Sequence, residues 1–243
     1  MIICHPLDVE TALILITVKL IIIMRLYINI LIAFFVLSCS HHLPESNESW
    51  AVKMANAVIK RYDSLMYYNG FSPGWQYDIA MLGQTIDKLG YLDTIYTKYH
   101  EDYLNYFVTD SGIRKYKLED YNLDNVNPAK GLITLYKRTG KEKYLNAINL
   151  IVKQLEQQPK THSGGYWHKK RYPWQMWLDG VYMSSPFLAQ YANEFNKPAW
   201  FDTVAFQIMH IYSNTLDPKT GLLYHAWDES KTQRWCDPET GKS

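Results

Sequence analysis

The chain has little cysteine. Of its 243 residues only Cys4, Cys39 and Cys236 carry a thiol, and the first two lie in or at the end of an apolar leader. Cys236 therefore stands alone in the body, where no internal disulfide is possible. A metal-binding histidine pattern is also missing: the eight histidines form no HxxxH or HExxH pair, and His41 and His42 follow the leader directly. Nor is there an excess of charge of either sign. A formal net charge of +1 gives no broad basic surface, so nucleic acid is not an expected partner. Long apolar runs are absent as well: two precede residue 39, and each is short for a membrane span.

The leader has a layout of its own. From Met24 the sequence MRLYINILIAFFVLSCSHH carries one basic residue, an apolar run and then VLSC ending at Cys39. This is the arrangement of a secretory signal with a lipoprotein processing site, and cleavage before Cys39 leaves a lipidated cysteine as the mature N-terminus. The segment ahead of Met24 carries Asp8 and Glu10, an odd start for a signal, so translation is expected to begin at Met24. The expected organisation is a leader over 1–38, a tether over 39–48 and a single domain over 49–243. Membrane contact is expected only through the N-terminal lipid, which places the protein in the cell envelope.

Aromatic side chains are abundant. They make up 15% of the chain, led by twenty tyrosines and eight tryptophans, and many sit beside Gly, Pro and His instead of at periodic core positions. Flat rings of this kind stack on the CH faces of sugars.

The body reads as helical and repetitive. Apolar residues at three- and four-residue spacing predict helices over 49–67, 77–89, 92–107, 127–139, 141–157, 180–194 and 198–213. Three pairs share one plan: helix, tight turn at Gly90, Gly140 or Asn196, an aromatic soon after, second helix. Gly and Asn accept the left-handed conformation that closes a helix, so these are αα-hairpin corners. The turns are 50 and 56 positions apart, and two helices per unit at that period imply a solenoid or a closed helical toroid.

Two aspartates repeat with the hairpins. Asp124 and Asp179 lie 55 positions apart, each expected at the start of the first helix of its hairpin. If the first helices line the inside of a toroid, both carboxylates emerge at one rim, as a two-carboxylate glycan site requires. The competing role for each is a helix N-cap. Asp179 lies between WQMWL and GVYM. Apolar neighbours on both sides predict scarce water and a carboxyl able to donate a proton near neutrality.

Long segments precede these helices. Residues 108–124 and 158–177 are rich in Tyr, Trp, His, Lys and Gly, where a plain hairpin connection needs only a few residues. The second holds His168 with Lys169, Lys170 and Arg171 beside it, candidates to meet a ligand carboxylate, with at least two of the three cations assigned to a solvated basic turn. After the last helix, LLYHAWDESKTQRW places His225 close to Trp227, and its short alternation predicts a strand or flap.

GGYWHKKRYPWQMWLDGVYMSSPF, with LDNVNPAKGLITLYKRTGKEKY upstream and LLYHAWDESKTQRW downstream, resembles the unsaturated rhamnogalacturonyl hydrolases of glycoside hydrolase family 105, relatives of the unsaturated glucuronyl hydrolases of family 88. The resemblance covers residues 50–243. It implies an all-α (α/α)6 barrel, a six-hairpin toroid. The implied substrate is an oligosaccharide ending in a 4,5-unsaturated uronic acid, as in pectin fragments. By the same resemblance Asp179 is the general acid, Asp124 the second essential carboxylate, and His168, Trp177 and His225 line the sugar pocket. The implied reaction protonates C4 of the C4=C5 enol ether and adds water at C5, so neither the retaining nor the inverting carboxylate geometry applies. No metal or organic cofactor is called for.

A complete toroid has more hairpins than these seven runs supply. The resemblance implies further helices and a segment that adds an arginine to the pocket. The chain is therefore expected to represent the N-terminal half to two-thirds of the barrel, with weak or no activity by itself. Other readings remain: a non-catalytic glycan-binding lipoprotein, an unsaturated glucuronyl hydrolase, or a sugar epimerase on the same fold that uses histidines as acid and base. The WLDG acid and the absence of a clear histidine pair count against the epimerase.

Overall fold

A computed structural model describes residues 19–20, 23–28, 48–67 and 74–243. The chain divides into two compact units, Met1–Ser49 and Trp50–Ser243. In the first, residues 19–20 and 23–28 are helical, whereas the processing site at Cys39 and the tether up to residue 47 lie outside the described residues. Among the described residues no helix is long and apolar enough to cross a membrane.

The second unit is built from αα-hairpins. Helix α1 (Trp50–Arg61) precedes three pairs: α2 (Tyr77–Asp87) with α3 (Thr94–Phe107), α4 (Ala129–Thr139) with α5 (Glu142–Glu156), and α6 (Leu178–Glu194) with α7 (Ala199–Thr215). All seven predicted runs contain a helix. The first is shorter than expected, because Ser64 Oγ accepts the Met66 N–H and Leu65–Tyr67 forms a separate 3-10 turn.

Two hairpin corners follow the expected chemistry: Gly140 has φ +65° and Asn196 φ +50°, both left-handed. Gly90 does not. It lies outside the left-handed region and is needed for space, since a Cβ there would stand 2.1 Å from Thr97 Cγ2.

Each pair buries one stripe. Helix α4 turns Leu132, Ile133 and Leu135 inward, and α5 answers with Tyr144, Ile148, Ile151 and Leu155. These merge with Tyr103, Leu104 and Phe107 of α3 and Phe187 and Leu188 of α6 into one core. Full burial of one such side chain is worth about 1.5–3 kcal/mol, which makes this core the main source of stability. Successive hairpins are also pinned at their edges by Arg138–Asp87 and Lys137–Glu194, each 2.8 Å. Partly exposed pairs of this kind contribute only about 0.2–1 kcal/mol.

The long connections are ordered by side-chain amides at the end of α5. Gln154 Oε1 accepts the Tyr116 hydroxyl at 2.7 Å, and its Nε2 donates to the Asn122 carbonyl and to Gln158 Oε1, both at 3.2 Å. Gln158 Nε2 then donates to the carbonyls of Tyr121 and Trp167, both at 2.8 Å. Two buried glutamines thus hold the segment before α4 against the segment before α6. A short antiparallel pair completes the arrangement. Strand β1 (Val108–Thr109) turns back on β2 (Gly112–Ile113). The predicted flap is strand β4 (Ala226–Asp228), which pairs antiparallel with β3 (Gln175–Trp177), with Trp177 opposite Ala226.

Candidate active site

Strand β3 runs straight into α6, so Trp177 is the last extended residue and Asp179 stands in the first helical turn. Pairing with β4 brings the segment after α7 to the same point, and Leu178 N–H donates to the His225 carbonyl at 3.0 Å. As a result His225 Nε2 lies 3.2 Å from Asp179 Oδ2. Asp179 is not a cap: Trp177 occupies the N-cap position without a side-chain bond.

Asp124 is placed differently from the expectation. It lies in a 3-10 turn, Leu123–Asn125, before α4 begins at Ala129. Pro128 explains the break, since the residue before proline is disfavoured in helical conformation and a helix readily starts just after it. Asp124 is likewise no cap. Its Oδ2 accepts from Lys169 Nζ at 2.5 Å, its Oδ1 lies 3.5 Å from His168 Nε2, and its own N–H donates to Asn122 Oδ1.

His168 sits between the two acids. Its backbone is fixed on both sides, with its N–H on the Gln175 carbonyl at 2.8 Å and its carbonyl accepting Leu123 N–H at 3.1 Å. Only 2% of the residue is exposed, and burial pushes its pKa down to about 4, with Asp124 and Asp179 opposing the shift only in part. The ring is thus neutral at physiological pH. Nε2 faces the Asp124 carboxylate, and Nδ1 has no partner among the described residues.

Aromatic rings complete the wall. Trp177 lies nearly parallel to His168, with centroids 4.5 Å apart, and to Tyr172 at 5.0 Å, while His225 tilts against it at 5.6 Å. Trp177 Nε1 is held by Gln175 Oε1 at 3.2 Å.

Asp124, His168, Trp177, Asp179 and His225 therefore form one connected constellation, with both carboxylates and His225 acting electrostatically on His168. One expectation needs correction. Asp179 is not sequestered: its side chain is 48% exposed, because Leu178 and Val181 line a neighbouring apolar groove and Gly180 faces His168. Its apolar neighbours in sequence are not its lid in space. Sequence reasoning also left Lys169 undistinguished among three candidate cations and missed Tyr172. Lys169 is committed to Asp124 and is not part of a solvated turn, and Tyr172 stacks on Trp177. Only the run of cations followed directly by aromatics in HKKRYPW hinted at either.

Stacked αα-hairpins, with two carboxylates and a ring wall gathered by the segments before α4 and α6, define a protein of the α/α-toroid class. The profile of glycosyl hydrolase family 88 matches residues 50–243, and the chain belongs to that family. A glycoside hydrolase from family 105 of C. acetobutylicum ATCC 824 is 39% identical, with a TM-score of 0.75 over 81% of this chain and 54% of that one. A possible GH105 member from Klebsiella pneumoniae subsp. pneumoniae MGH 78578 shares the fold at 21% identity and a TM-score of 0.54, over 64% of this chain and 41% of that one. The GH76A alpha-1,6-mannanase from Salegentibacter sp. HEL1_6 shares it at 16% identity and 0.58, over 73% and 54%. The chain spans about half the length of these structures.

Proposed function

We propose that this domain releases a 4,5-unsaturated uronic acid from the non-reducing end of an oligosaccharide, with an unsaturated galacturonyl residue on rhamnose as the preferred unit. The observation that carries the reading is the position of Asp179, in the first turn of α6 beside His225 and the ring wall of Trp177.

The chemistry follows from those positions. Asp179 delivers its proton to C4 of the enol ether, and the ring oxygen stabilises the positive charge that develops at C5. Water adds at C5 and returns a proton to the Asp179 carboxylate. The hemiketal so formed opens to a C5 ketone, and the hemiacetal left at C1 expels the aglycone as an alcohol. Asp124, held by Lys169 and His168, acts as the charged partner that receives sugar hydroxyls. Buried His168 backs Asp124 through Nε2, and Trp177 offers a face to the sugar ring.

The half-exposed position of Asp179 favours one second reading, glycan binding without turnover, because bulk water reaches the carboxyl that the reaction would use. Mixing the protein with unsaturated galacturonyl-rhamnose and following the ultraviolet absorbance of the enol ether separates the two. Loss of absorbance is expected; binding by calorimetry without loss would establish the second reading, and equal turnover of a saturated neutral disaccharide would refute the first.

A further inference from the structure

We infer that the groove between α5 and α7 is a second, non-catalytic site that binds a neutral sugar ring and so holds the domain on the glycan it processes. The choice of rhamnose as that sugar rests on the hydrolase reading above, in which it is the neutral unit of the substrate. The groove measures about 550 Å³ and is lined by Glu156 at the end of α5, Lys160 and Tyr166 of the segment that follows, and Trp200, Asp202 and Phe206 of α7. That volume is within the range of small-ligand pockets and admits a monosaccharide ring. No residue of the constellation around Asp179 lines it, and neither does any residue of α4 or α6.

One wall of the groove is fixed by a buried amide. Gln207 Oε1 accepts the Tyr166 N–H at 2.8 Å and its Nε2 donates to the Gly164 carbonyl at 3.0 Å, which pins the loop to α7. The loop also lies flat against Phe206, since a Cβ at Gly164 would stand 3.1 Å from that ring. Only 5% of Tyr166 is exposed, yet its hydroxyl has no hydrogen-bond partner among the described residues. Burial, and after it the Glu156 charge, pushes this hydroxyl up to about 12, so it keeps its proton and remains a donor.

The other polar groups of the groove are unused as well. Among the described residues neither Glu156 nor Asp202 accepts a side-chain hydrogen bond or has a cation within ion-pair distance, and Lys160 lies 5.6 Å over the Tyr166 ring without a carboxylate. Trp200, half-buried, packs against the core and borders the groove. Together these supply what a pyranose needs: carboxylates to accept paired hydroxyls, an ammonium and a phenol to donate to sugar oxygens, and an indole to cover a CH face. Two carboxylates against one ammonium leave the lining negative, which disfavours a uronate and selects a neutral ring.

The test titrates the full chain with methyl α-rhamnoside, which has no enol ether, and follows saturation-transfer NMR. Saturable binding is expected. Glu156→Gln/Asp202→Asn, at two exposed positions where the fold should not suffer, is expected to weaken it about tenfold, and Tyr166→Phe about threefold, the losses of charge-assisted and of neutral hydrogen bonds. Turnover of the unsaturated disaccharide should be the same in the double variant as in the unaltered protein. No saturable binding of the rhamnoside would overturn the site, as would binding that the double variant leaves unchanged, which would place the sugar elsewhere. Spermidine bound in place of the rhamnoside, and lost in the double variant, would assign the two acids to a cationic ligand instead. If the unsaturated disaccharide is not consumed, the hydrolase reading fails separately, and rhamnoside binding that is lost in the double variant still upholds the groove.

Discussion

Gly180 and His168 share one space. A Cβ added at Gly180 would stand 2.9 Å from His168 Nδ1 and 3.1 Å from Leu123 Cδ1, so the glycine of WLDG is what lets the buried histidine lie against the start of α6. Gly180→Ala should therefore push His168 outward and carry Trp177 with it. Overpacking of this kind costs about 1–3 kcal/mol, visible as a lower Tm. The displacement should cost activity more than stability, about a hundredfold in kcat/KM, because misplacement near 1 Å has that effect. A variant with full turnover of the unsaturated disaccharide would show that His168 has no part in the site.

The two aspartates should separate in kinetics. Asp179→Asn keeps the shape and removes the transferable proton, so kcat should fall by about two to four orders of magnitude with little change in ligand affinity. Asp124→Asn should weaken binding and turnover together, since it leaves Lys169 without the anion it holds. Calorimetry and steady-state rates on the same variants distinguish the two roles; a uniform loss of binding in both would deny Asp179 its position as acid.

How much of this was legible in the sequence varies with the range of the interaction. Helices announce themselves by local period, and Gly140 and Asn196 by their turn chemistry, so all three hairpins were readable. The Asp179–His225 contact depends on β3 pairing with β4 across the whole of α6 and α7, which no local pattern encodes. The exposure of Asp179 was misread for a related reason. On a helix, Leu178, Gly180 and Val181 leave in different directions, so apolar neighbours along the chain do not enclose the residue between them. Gln154 and Gln158, in an ordinary-looking QLEQQP, turned out to hold both site loops, and their partners lie up to 38 positions away.

Location can be tested at one atom. The leader motif ends at Cys39, and a lipid on that thiol is the proposed means of anchoring the domain in the cell envelope. Cys39→Ala should shift the protein from the membrane fraction to a soluble or unprocessed form. Cys236→Ala should leave it where it was, because that thiol lies in the folded domain, against the Gln233 carbonyl. An unchanged membrane fraction after the Cys39 substitution would instead argue for a retained apolar segment.

Stability should fall in mild acid, and His100 is a main reason. Its ring is 1% exposed on α3, wedged where a Cβ at either Gly83 or Gly131 would approach to 2.5 or 2.6 Å. Burial lowers its pKa from 6.5 to about 4, with Asp87 opposing the shift and Arg138 adding to it. Above pH 6.5 both folded and unfolded chains carry the neutral ring, and the histidine contributes no slope. Below that value the unfolded chain takes up a proton that the folded chain refuses until about pH 4. Stability should thus drop by about 1.4 kcal/mol per pH unit for this residue across that window, and then level off. His168, pushed to about 4 as well, adds a similar slope. Urea denaturation between pH 7 and 5 measures the sum before most carboxylates titrate. His100→Gln should be less stable at pH 7 but shallower in its pH dependence by about one proton. A slope unchanged by that substitution would mean that the buried ring is protonated in the folded chain, with Asp87 as its counter-charge.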